Sequence, residues 1–140
     1  MKKSAPLLLC CCILVVNTTF SAQAQKLEKF YYKNGQLRRT AKMIGGKVAG
    51  PITDYFESGK VKVKYTIDQN AKKNGPWISY FENGRVKEMV EFKNNQRHGT
   101  QVVFYFSGVI RWVGYYDNGI KVGTWMYYSK TGKQEGTHKY

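Results

Sequence analysis

Apolar side chains recur along this chain at alternate positions, in short runs cut by glycine. Counting from Gly35, Gly59, Gly84 and Gly108, an apolar residue stands two places on, at Leu37, Val61, Val86 and Ile110. Another stands eight places on, at Met43, Ile67, Phe92 and Tyr116. A period of two is that of a strand with one buried face, so the pattern predicts outgoing strands with an even-numbered apolar face, interrupted by Arg39 and Glu88. An aromatic pair precedes each glycine, at Tyr31-Tyr32, Tyr55-Phe56, Tyr80-Phe81 and Phe104-Tyr105, and, displaced by one, at Tyr127-Tyr128 before Gly132.

The glycines turn this pattern into a repeat. Nine of the fourteen fall at 35, 50, 59, 75, 84, 99, 108, 123 and 132, with gaps of 15, 9, 16, 9, 15, 9, 15 and 9. The period of 24 or 25 residues marks an array of one supersecondary unit. Gly35, Gly59, Gly84, Gly108 and Gly132 form one class. Asn34-Gly35 and Asn83-Gly84, and the weaker Ser58-Gly59 and Ser107-Gly108, predict hairpins closed by type I′ turns. The second class, Gly50, Gly75, Gly99 and Gly123, is expected to open each incoming strand, followed two residues later by Ile52, Trp77, Gln101 and Trp125. Polar linkers at 93–99 and 117–123 supply a second turn per unit. The expected fold is all-β: one elongated antiparallel sheet, a meander of about nine or ten short strands, in about four and a half repeats. A lone hairpin is marginal in water, so consecutive hairpins pair to bury their aromatic face. The polar segment 132–140, with Lys133, Glu135, His138 and Lys139, suits an end strand that guards against edge pairing.

The first 24 residues stand apart. Lys2 and Lys3, an apolar run at 7–16 and Ala22-Gln23-Ala24 read as a secretory signal peptide cut after Ala24, leaving a repeat domain at 25–140. The run is short of the ~20 residues of a membrane-spanning helix, and no later stretch is longer. Leu9 before Cys10 disfavours a lipoprotein. The expected location is the periplasm or outside the cell. Cys10, Cys11 and Cys12 all lie in the signal, so the remainder is held without disulfides.

Charge changes the picture of the partner. The chain carries 23 Lys and Arg against 9 Asp and Glu, a net +14, and taking away Lys2 and Lys3 leaves +12. Three positions after the turn glycines stand Arg38, Lys62, Lys87 and Arg111, read as a basic column on the face opposite the apolar positions. Equivalent residues two strands apart sit roughly 10 Å from one another, a spacing that engages acidic side chains or phosphates in series. The plainer reading is a solvated face that keeps a β-rich protein from self-associating. Tyr80 and other exposed tyrosines beside cations could join a recognition surface, and Trp77 and Trp125 read as core or interface plugs. Glu57 and Glu82 are equivalent turn-flanking groups, which the repeat itself accounts for.

No cofactor or catalytic site is expected. His98 and His138 are the only histidines, no cysteine follows the signal, and no nucleophile with a matching base is present. His98 reads as a turn residue beside Gly99.

The units Tyr-Phe-Glu-Asn-Gly-Arg-Val-Lys-Glu at 80–88 and Asn-Gly-Pro-Trp-Ile-Ser-Tyr-Phe at 74–81, with Arg-His-Gly at 97–99, resemble MORN repeats. More closely, they resemble the bacterial variant whose members are often labelled antitoxins. The resemblance covers nearly all of residues 30–133 and thins at 43–52, where Gly45-Gly46 and Ile52 replace the expected residues. It implies a scaffold for protein contacts or acidic lipid headgroups. An exported protein cannot easily neutralise a toxin inside its own cell, so immunity in the envelope fits better than the inherited label. The expected function is an exported, non-enzymatic protein-binding module, its partner acidic on the charge argument, with attachment to anionic lipid or glycan as the alternative. Nucleic acid is disfavoured, because an exported chain rarely meets it.

Overall fold

Alternation and glycine spacing resolve into ten strands: β1 (Gln25–Tyr31), β2 (Leu37–Ile44), β3 (Lys47–Tyr55), β4 (Val61–Ile67), β5 (Gly75–Tyr80), β6 (Val86–Lys93), β7 (Gln96–Phe104), β8 (Ile110–Asp117), β9 (Ile120–Tyr128) and β10 (Gln134–Lys139). The computed structural model describes residues 25–140, so the predicted signal peptide and its cleavage site lie outside the described residues. Every strand pairs antiparallel with its neighbours in chain order, giving one open ten-stranded meander, and the described residues contain no helix. The all-β hairpin array expected from the glycines is the fold observed.

With no second layer, the core is a strip running across the strands. Ala41, Ile52 and Tyr65 lie in direct register, as do Trp77, Val90, Gln101 and Gly114. Ala41, Ile52, Val90, Gln101 and Trp125 are buried in this strip. Its smallest residues lie beside larger ones, Ala41 beside Ile52 and Gly114 beneath Trp125, so the larger side chain covers its neighbour sideways as in cross-strand pairs. The ring of Trp125 lies where a Cβ on Gly114 would be, within 2.3–2.6 Å. Ile52 is buried and Gly45-Gly46 closes a turn, so the thinning of the pattern at 43–52 does not interrupt the array.

The turns correct the expected chemistry. Gly35, Gly59, Gly84, Gly108 and Gly132 each donate their N–H to the residue three places earlier and all have φ near +80 to +93°. The preceding Asn34, Ser58, Asn83 and Ser107 are not at positive φ. These are type I turns closed by a left-handed glycine, the three-residue hairpin loop, and not type I′ turns. Their first residues are Tyr32, Phe56, Phe81, Tyr105 and Ser129. Two-residue type I′ loops do occur, at the other edge: Gly45-Gly46, Asn94-Asn95 and Asn118-Gly119 have both central residues at positive φ.

The second glycine class does not open the incoming strands, apart from Gly75. Gly50, Gly99 and Gly123 lie inside β3, β7 and β9. In each junction the incoming strand carries two more residues than its partner, as between Val90↔Gln101 and Glu91↔His98. The positive-φ glycine absorbs this bulge. His98, expected in a turn, accordingly sits within β7.

The single gap of 16 also has a cause. Between β4 and β5 the loop is Asp68-Gln69-Asn70-Ala71-Lys72, with Ala71 in the left-handed position at φ 59°, one residue longer than the two-residue loops. There the ladder shrinks to Val63↔Ser79 and Lys64↔Ile78, with an isolated bridge at Ile67↔Lys73.

Candidate cation columns on the open sheet

The register explains how the expected basic column is presented. Between Phe30↔Arg39 and Tyr31↔Leu37, Arg38 has no partner on β1. Lys62, Lys87 and Arg111 are left over in the same way on β4, β6 and β8. Each is the extra residue of a bulge, and bulges re-aim side chains. All four are exposed. Arg38 and Lys62 line one groove of about 350 Å³ together with Tyr32, Arg39, Asp54 and Tyr55. Segregation of the column on a face of its own, as period-two counting implied, is therefore wrong for these two: they sit beside the Arg39–Asp54 pair. The fifth equivalent position is Glu135, the extra residue of β10, so the column ends in a carboxylate.

The two charges that interrupt the apolar face are paired across strands. Arg39 donates from Nε to Asp54 Oδ1 at 2.5 Å and from Nη2 to Oδ2 at 2.9 Å. That hydrogen-bonded carboxylate holds the guanidinium above its ordinary pKa, against the effect of burial. Glu88 accepts from the buried Gln101 amide. Tyr65, next along the core strip, has its phenol raised chiefly by burial.

Aromatic rings hold the cations in place. Lys62 lies 5.6 Å from the centre of the Phe56 ring and Arg111 5.8 Å from Tyr105, each over the first residue of its own hairpin turn. The turn tyrosines also tie successive repeats together. Tyr32 donates its hydroxyl to the Tyr55 carbonyl at 2.6 Å, and Tyr105 to that of Tyr128 at 2.9 Å.

A second column escaped the sequence reading. Lys73, Arg97 and Lys121 occupy the position two before Gly75, Gly99 and Gly123. Each lies over the aromatic residue eight places after the following turn glycine: Lys73 over Phe92 at 5.1 Å, Arg97 over Tyr116 at 5.7 Å and Lys121 over Tyr140 at 4.8 Å. Their spacing of 24 was the available signal. It was hidden because the first repeat has Val48 and Ile67 in place of the cation and ring. Lys121 also donates to the Tyr140 hydroxyl at 3.1 Å. That bond raises the ammonium and lowers the phenol.

The aromatic candidates divide. Trp125 is 2% exposed, stacked on Trp112 at 4.9 Å and edge-on to Tyr116 and Tyr140, which makes it core. Trp77 is half-buried, edge-on to Phe92 at 6.5 Å, and lines a shallow groove of about 390 Å³ with Pro76, Ile78, Met89 and Val102. Tyr80 pairs with Val86 at the end of β5, half-buried and apart from that groove. His98 Nδ1 stands 3.3 Å from Asp117 Oδ1. Among the described residues no three of His, Cys, Asp and Glu converge, and no helix is long and apolar enough to cross a membrane.

Residues 25–43 and 73–94 match the model of the family described as MORN repeat variant. The first segment carries the turn at Gly35, the second that at Gly84. No curated protein matches the chain at a significant level. MORN repeats are commonly protein- or membrane-binding modules. The other hairpins reproduce the register of the two matched ones, so the similarity to MORN repeats rests on those two segments and on a hairpin geometry that recurs through the described residues.

Proposed function

We propose that the protein is exported and acts as a non-catalytic binding module that holds a partner protein through an acidic surface. One observation carries this: seven cations stand in two regular columns on an open sheet, and among the described residues none of the seven is in an ion pair. Five of them, Lys62, Lys73, Arg97, Arg111 and Lys121, lie over aromatic rings. Charges steadied in this way, without a carboxylate to neutralise them, are already positioned for an anionic partner and lose little side-chain freedom on binding. Immunity against a toxin that acts in the envelope is a narrower form of the same proposal.

A second reading, attachment to anionic lipid headgroups or glycans, draws on the same cations. Salt separates the two. Attachment to an open anionic surface weakens steeply as ionic strength rises, whereas cations paired with carboxylates inside a closed protein contact are screened much less. The test is capture of proteins from an envelope extract on the immobilised protein at low and high salt, followed by binding to vesicles with and without anionic lipid. A discrete protein retained at high salt supports the module. Binding to anionic vesicles alone, abolished by salt, replaces it with the second reading. N-terminal sequencing of the exported product checks the cut after Ala24.

A further inference from the structure

Two of the fourteen glycines, Gly114 and Gly136, are not at positive φ, so neither is needed by the backbone. Gly114 makes room for the Trp125 ring of the next strand. Gly136, on the edge strand β10, has no atom within 4 Å of the position its Cβ would take. The repeat itself says what belongs there.

Among the described residues, the array runs from an incoming strand, β1, to an outgoing one, β10, and the outgoing-to-incoming junction is made four times inside the sheet. In those junctions the residue four after a turn glycine faces the residue five before the next: Arg39↔Asp54, Val63↔Ser79, Glu88↔Val103 and Trp112↔Tyr127. Continued past β10 into a second copy, the rule sets Gly136 against Phe30, Thr137 against Lys29 and His138 against Glu28. A ring then fills the space over a glycine, as Trp125 does over Gly114, and a carboxylate faces an imidazole. Tyr140 donates its N–H to Gly123 on β9. By the alternation of an antiparallel ladder, the N–H and C=O of Thr137 and Lys139 point away from β9, toward the open edge.

We infer that β10 of one copy pairs with β1 of the next, so that copies join head to tail into a continued sheet. The contact is heterologous and open-ended, and it generates linear chains rather than a closed dimer. None of the residues it pairs is one of the seven cations, and it stands independently of the binding proposal.

Two variants each block one end. Gly136→Val fills the space meant for Phe30, and the monomer has room for it. Lys29→Pro removes an outward N–H from an edge strand, where proline is tolerated. Sedimentation velocity on the protein expressed from its full sequence should show average mass rising with concentration through two and three chains. Each variant alone, with an unchanged melting curve, should stay at one chain. An equimolar mixture should stop at two, because one intact β1 meets one intact β10. Wild-type protein that remains a monomer at all concentrations overturns the inference, as do variants that assemble like the wild type. Should Lys29→Pro fail to fold, Gly136→Val alone decides between these results.

Discussion

The junction of β4 with β5 and the block from β6 to β9 are built from the same unit yet held by different forces. In the block, β7 and β8 stay in consecutive register from Gly99↔Tyr116 to Val103↔Trp112 before the bulge at Arg111, and the rings of Trp112 and Tyr116 pack against Trp125 beneath Lys121. At the β4–β5 junction one extra loop residue leaves two ladder pairs, and side chains take over. Asp68 accepts from the N–H groups of Asn70 and Lys72, and the Asn74 amide donates to Asp68 while accepting from the Asn94 N–H on the next loop. A repeat tolerates an insertion, the contrast teaches, when polar loop residues can replace lost ladder bonds, whereas an aromatic stack tolerates no added atom.

The largest break in that contrast should come from the stack. Gly114→Val drives methyl groups into the Trp125 ring and should cost about 3 kcal/mol, read as a lower urea midpoint with altered tryptophan fluorescence. Gly84→Val, at φ +86°, places a β-branched residue in left-handed backbone and should cost about 2 kcal/mol; thermal melting unchanged from wild type would remove the strain assigned to that turn. Asn74→Ala should cost about 1 kcal/mol and speed hydrogen exchange in β4 and β5 before β6 to β9. Ala71→Gly should act in the opposite sense, since alanine there bears left-handed strain, and stabilise by about 0.5–1 kcal/mol in the same melts.

Much of the fold could be seen in the chain because each hairpin prints its own glycine and aromatic pair. What could not be seen has a common origin in bulges. Glycine spacing does not reveal whether Gly35 is the second residue of a two-residue loop or the left-handed close of a three-residue one, since both need positive φ. Counting by twos places Arg38 and Lys62 apart from Arg39, but each lies at an extra residue, and one slip in a strand redirects the side chain. Gly50, Gly99 and Gly123 were legible as recurrent positions and not as bulges within strands. The pairing of Lys73, Arg97 and Lys121 with rings shows only when the fold is known, because Phe92, Tyr116 and Tyr140 lie past the following hairpin turn.

Charge reversal tests the central claim most directly. With Arg38, Lys62, Lys87 and Arg111 all changed to Glu, each side chain being exposed and each residue unpaired in the strand register, the sheet should fold with near-normal circular dichroism. Capture of the acidic partner from an envelope extract should then be lost. A folded variant that captures the same partner as the wild type would contradict a functional role for these cations.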